Sequence, residues 1–84
     1  MKHLNRLLLT IKSELEKGNV VSIFGFSLIS QPEMYGDVTY IDYNALGYSK
    51  ENILHSIKEL SDMGEISLID SGNMGYWIEL PENN

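Results

Sequence analysis

The stretch "GYSKENILHSIKELSDMGEI", residues 47–66, constrains the chain more than any other. Within it Ile53, Ile57 and Leu60 recur at the spacing of one helical stripe, with Leu54 and Ser61 on its flank. Ser49 stands where a hydroxyl caps the free amides of a first turn, and Glu51 stands where a carboxylate meets the positive end of the helix dipole. Gly64, directly after Met63, is a stop signal. The pattern predicts a capped helix over residues 49–63.

Two strand patterns follow that helix. "EISLID" and "YWIEL" are joined by "SGNMG", whose glycines and asparagine suit the positive-φ positions of a hairpin loop. Counting alternate residues puts Ile66 and Leu68 on one face of the first strand, and Tyr76, Ile78 and Leu80 on one face of the second. Ile69 and Trp77 fall on the opposite face. Upstream, Leu4, Leu7, Leu8, Ile11 and Leu15 form the stripe of an N-terminal helix that Lys17 and Gly18 end. Leu9 lies about 140° from Leu4 around that helix, so it packs on another element or faces a partner. "NVVSIFGFSLIS", residues 19–30, reads as a buried strand with Gly25 as a bulge or a point of close approach, and a short buried helix is the competing reading. "QPEMYGD" is a loop and "VTYIDY" a second strand. "DYNAL" leaves room for a one-turn helix capped by Asp42.

The expected architecture is one α+β domain over residues 1–84, with residues 81–84 a polar tail. It is winged-helix-like: an N-terminal helix, short strands, a capped second long helix and a C-terminal β-hairpin wing. Over residues 41–80 this order resembles a winged helix-turn-helix domain. More narrowly, "IDYNALGYSKENILHSIKELSDMGEISLID" together with "LLLTIKSELEKG" resembles a family of short, functionally uncharacterised proteins encoded by phages and prophages. In that family a helix of this kind ends in a turn like Met63, Gly64, Glu65 and Ile66 here. The resemblance implies a fold and a setting, and no activity.

Composition narrows the function. Eighty-four residues with 43% apolar and 21% charged side chains describe a small folded domain and not a disordered chain. No cysteine is present, so disulfides, thiolate nucleophiles and cysteine-ligated zinc are excluded. Arg6, Thr10 and Lys12 interrupt the N-terminal apolar cluster too often for a signal peptide, and no apolar run approaches a membrane span of about 18 residues. A cytoplasmic location and no membrane contact are expected. Six basic residues face twelve acidic ones, a net charge of −6. Residues 1–17 carry a net +2, whereas residues 64–84 hold Glu65, Asp70, Glu79 and Glu82 with no basic residue.

Turning residues 49–63 by about 100° per position sets Glu51, His55, Lys58 and Asp62 on the outward stripe, with Asn52 and Glu59 beside it. A major-groove helix presents such a face to base edges, Asn52 suiting an adenine, while lysines and arginines hold phosphates. Here the cations would have to come from Lys2, Arg6, Lys12, Lys50 and Lys58 on two separate helices. The plainer reading of this face, and the preferred one, is a solvated face in which Glu51 pairs with His55 and Lys58 with Asp62. Ile69 and Trp77 form an apolar pair on an otherwise acidic wing and suit a protein partner or a second copy, unless residues 19–43 cover Trp77. The five tyrosines, Tyr35, Tyr40 and Tyr43 among them, fit core edges and strand faces better than base stacking, which needs a positive groove.

His3 and His55 are the only histidines and lie in no metal or triad spacing; His55 with Glu59 gives two ligands, too few for a closed zinc site. No phosphate loop or carboxylate pair is present. A non-enzyme without cofactor is expected, acting through a protein partner or homodimer. Its candidate contact residues are Glu51, Asn52, His55, Lys58, Asp62, Ile69 and Trp77. The alternative is a transcriptional regulator that places helix 49–63 in the major groove.

Overall fold

Leu4, Leu7 and Ile11 from one helix and Ile53, Ile57 and Leu60 from another are sealed from solvent in a single apolar cluster. The computed structural model that shows this describes residues 2–34 and 36–81, with side chains from Leu4 onward. Tyr35, the side chain of Lys2 and the tail beyond Pro81 lie outside the described residues.

Among them the chain forms two α-helices, α1 (Lys2–Glu16) and α2 (Ile53–Asp62), and five strands. These are β1 (Asn19–Phe24), β2 (Ser27–Pro32), β3 (Thr39–Tyr40), β4 (Ser67–Asp70) and β5 (Tyr76–Glu79). The strands make one antiparallel sheet in the order β3-β2-β1-β5-β4. Both helices bury their stripes on the same sheet face, against Val21, Ile23, Leu28 and Ile78. The architecture is therefore a two-layer α+β domain. No described helix is long and apolar enough to cross a membrane.

The sheet is larger than the expected short strands and terminal hairpin, because residues 19–30 fold back on themselves. Gly25 is not a bulge in one strand; Gly25 and Phe26 are the two-residue turn between β1 and β2, closed by the Phe24 and Ser27 pair. Gly25 takes φ 65° at the first turn position and no other residue of the turn has positive φ, the pattern of a type II′ turn. The turn shifts the alternation by one position, so the inward residues are Val21 and Ile23 before it but Leu28 and Ser30 after it; with apolar groups also on the outer face at Val20, Phe24 and Ile29, the sequence run hides the break. The expected second strand shortens to Thr39–Tyr40. Between β3 and α2 runs a single 3₁₀ turn, Tyr43–Leu46, and Asp42 caps it by accepting from the Ala45 N–H at 3.3 Å.

The second helix starts later than expected. Residues 50–52 form a turn, and the Ser49 carbonyl accepts from the Asn52 and Ile53 N–H groups at 3.1 and 2.9 Å. The side-chain bond that closes this turn comes from Asn52, whose Oδ1 accepts from the Ser49 N–H at 2.9 Å. The C-terminal stop is as expected: Gly64 donates to the Ser61 carbonyl and Glu65 to that of Leu60, both at 3.0 Å, the paired bonds of a Schellman motif.

Two polar or close contacts lock the layers. Glu14 on α1 accepts from the Ser30 hydroxyl at 2.8 Å, from the Asn19 side-chain amide at 3.0 Å and from Lys17 Nζ at 3.2 Å. Ser30 is the buried polar group of β2, so this bond satisfies a hydroxyl that would otherwise stay dry and unpaired. At the far side, Gly75 enters β5 with φ 81° and ψ −135°, and a Cβ there would overlap the Ile23 carbonyl oxygen of β1. Only glycine allows β5 to come this close.

Gly75→Ala should therefore cost about 3 kcal/mol or more through strain and overlap, and Gly25→Ala, with open space around it, about 1 kcal/mol. Urea unfolding of the two variants measures the difference. The Ser30 bond, ahead of the opposing effect of burial and the further help of Lys17 and Asn19, holds the Glu14 carboxyl below its ordinary value of 4.5. A lowered folded pKa gives stability that is present above the unfolded value and lost as pH falls through the folded one. Wild type should thus exceed Glu14→Gln in unfolding free energy at pH 7, and the gap should narrow towards pH 3.

Candidate functional site

Among the described residues, none covers the face of the sheet turned away from the helices as a layer. Cross-strand partners in antiparallel pairs share a face, so the register joins Tyr40, Ile29, Ser22, Trp77 and Ile69 into one row across all five strands. Three of its members are strongly exposed: Tyr40 at 71%, Trp77 at 49% and Ile69 at 42%. Phe24 and Met74 add exposed apolar surface at one end.

Ser22 is the smallest residue of the row and lies between Ile29 and Trp77. The row therefore dips over β1, and the dip is part of an open groove of about 580 Å³. Val20, Ser22 and Phe24 form its floor; Ile29 and Gln31 line one side, Trp77 and Glu79 the other. Glu33, just past β2, joins Glu79 near the Val20 end. No strand contains a lysine or arginine, because all six basic residues fall within residues 2–17 and 50–58.

The seven expected contact residues separate onto two surfaces. Glu51, Asn52, His55, Lys58 and Asp62 are exposed along the α2 segment, while Ile69 and Trp77 lie on the open sheet face across the core. Within the α2 set the chemistry differs from expectation. Among the described residues the ion pair formed is Glu14 with Lys17, and not Glu51 with His55 or Lys58 with Asp62. Lys58 instead lies over the Tyr76 ring, its Nζ 5.6 Å from the centroid, and Lys50 lies over Phe26 at 5.8 Å. A cation above an aromatic face is held by the ring quadrupole, so these two lysines have local anchors. Asn52 uses its Oδ1 on Ser49, which occupies the acceptor that an adenine edge would need. Burial, followed by the nearby Glu59 carboxylate, raises the Tyr48 phenol above its ordinary value, in keeping with negative surroundings on this side.

Tyr48 is buried, and Tyr43 and Tyr76 are half-buried at the core margin; Tyr43 donates to the Phe26 carbonyl at 2.6 Å. Tyr40 stands on a strand face, the open one. Among the described residues no three His, Asp or Glu side chains gather closely enough to hold a metal ion. Residues 19–43 do supply further strands, as the covering alternative for Trp77 required, but they extend the sheet sideways and leave Trp77 outside. Tyr40, Ile29 and Phe24 were not singled out as contact residues from the sequence. Their signal was the alternation Val20, Ser22, Phe24 against Val21, Ile23, which is weak because both faces carry apolar groups.

The fold and this surface together define a small two-layer domain with one helix-covered and one open sheet face. No family model matches the chain, and neither the curated proteins nor the solved structures contain a match.

If Trp77 stands outside the core, Trp77→Thr, which puts a strand-favouring β-branched residue in its place, should cost about 1 kcal/mol of lost cross-strand contact. Ile78→Ala, one residue on and facing the helices, should cost about 2–5 kcal/mol. Chemical denaturation of both variants tests the assignment of faces.

Proposed function

We propose that this domain is a small non-enzymatic regulatory or accessory protein that works by docking another protein on its open sheet face. The observation that carries this reading is the exposed apolar row with Trp77 within it. Tryptophan and tyrosine are enriched at interface hot spots, and contiguous apolar patches on small proteins are commonly contact sites. A cytoplasmic setting and an origin in a phage or mobile element rest on composition and sequence resemblance alone.

A second reading is favoured by topology. An N-terminal helix, a strand, a short turn of helix, a longer helix and a hairpin, with the first strand paired to the last, suit a winged-helix-like arrangement in which β2 and β3 are additions. In that reading α2 enters the major groove. Against it stand Glu51 and Asp62 on the exposed face of the α2 segment and a hairpin, β4 to β5, that carries Asp70 and Glu79 and no cation to neutralise phosphate.

A photo-reactive benzophenone residue placed in cells at Ile29 or at His55 separates the two. The docking reading expects protein adducts from position 29 and none to DNA from position 55. DNA adducts from position 55, with no protein adduct from position 29, would establish the regulator instead.

A further inference from the structure

The open face has a shape and a charge that specify its occupant, granted the docking reading above. β1 forms the groove floor, and its six residues extend about 20 Å. The two flanking strands lie about 10 Å apart, one strand spacing on either side of β1, which is close to the diameter of an α-helix. A footprint of about 200 Å² is far below the roughly 800 Å² per partner of a standard globular interface. It matches a single helix of about 13 residues.

Charge then chooses among helices. Glu79 and Glu33 stand at the Val20 end of the groove, Phe24 and Met74 at the other, and no outward strand position is basic. A second copy laid face to face would set these carboxylates into another cation-free sheet face, where nothing opposes their charge. We propose that the groove over β1 receives one amphipathic helix of a partner protein, with an apolar stripe along β1 and lysines or arginines towards Glu79 and Glu33.

Two synthetic 16-residue helical peptides with the same leucine stripe, one carrying lysine at its polar positions and one glutamate, test this through the emission of Trp77, the sole tryptophan. The lysine peptide should shift the emission to the blue. Its Kd should rise at least tenfold in the Glu33→Gln/Glu79→Gln variant, and should change less than twofold in Glu51→Gln/Asp62→Gln, which removes the same charge from the α2 side. Equal weakening by both double variants would mean attraction to net charge alone and would overturn the proposal. So would comparable binding of the glutamate peptide, or no shift with either peptide. A dimer in sedimentation that Trp77→Thr converts to monomer would assign the face to a second copy, against the proposal. Peptide failure combined with a protein adduct from position 29 would remove this occupant while leaving the docking face in place.

Discussion

The pairing of β1 with β5 is the interaction on which the rest of this structure depends. It joins the first third of the chain to the last through Val21 with Ile78, Ser22 with Trp77 and Ile23 with Tyr76. Without it the sheet would fall into β3-β2-β1, whose edge strand is only two residues long, and the separate two-stranded β4–β5 ribbon, which is too small to hold alone. The pairing also sets the two faces in one step. Because side chains alternate along a strand, placing Val21, Ile23 and Ile78 under the helices necessarily turns Ser22 and Trp77 outward. A slip of one residue would exchange the core for the surface. Gly75 protects against that slip by allowing β5 to approach the Ile23 carbonyl at one position only.

The same geometry sorts charge. α1, the turn that ends it and the α2 segment carry every lysine and arginine, whereas the strands carry none. Two of those lysines, Lys50 and Lys58, lie over aromatic rings. The molecule is thus two-sided: mixed charge on the helical layer, and an apolar row with carboxylates at one end on the sheet. Electrostatics of this sort orients an approaching partner more than it tightens the final contact, and burial of Trp77 and its neighbours would supply most of the affinity.

Much of the frame was legible in the residues. Both helical stripes, the glycine stop at residue 64, the capped one-turn remnant after Asp42 and the shared outer face of Ile69 and Trp77 follow from periodicity and local chemistry. The β1–β2 hairpin was not legible because Val20, Phe24 and Ile29 put apolar side chains on the outer face as well, which hides the one-position shift in alternation at the turn. The Ser49 cap was misplaced by a turn because the Asn52 side chain takes the Ser49 N–H, a local contest that spacing does not decide. The Glu14 and Ser30 bond links residues sixteen apart and depends on the hairpin, so nothing in either local pattern announces it. The open groove has the same origin: its floor and sides meet only through register across two strand pairs, β1 with β2 and β1 with β5.

Trp77 is half exposed on an apolar surface whose nearby charges are negative. Quenching of its fluorescence by neutral acrylamide, cationic caesium and anionic iodide tests both properties in one titration. Acrylamide should quench Trp77 readily, at roughly half its rate for free indole as the half exposure implies, and caesium should outperform iodide. Protection from acrylamide would place Trp77 in a core, and preference for iodide would place cations beside it; either result would contradict this placement.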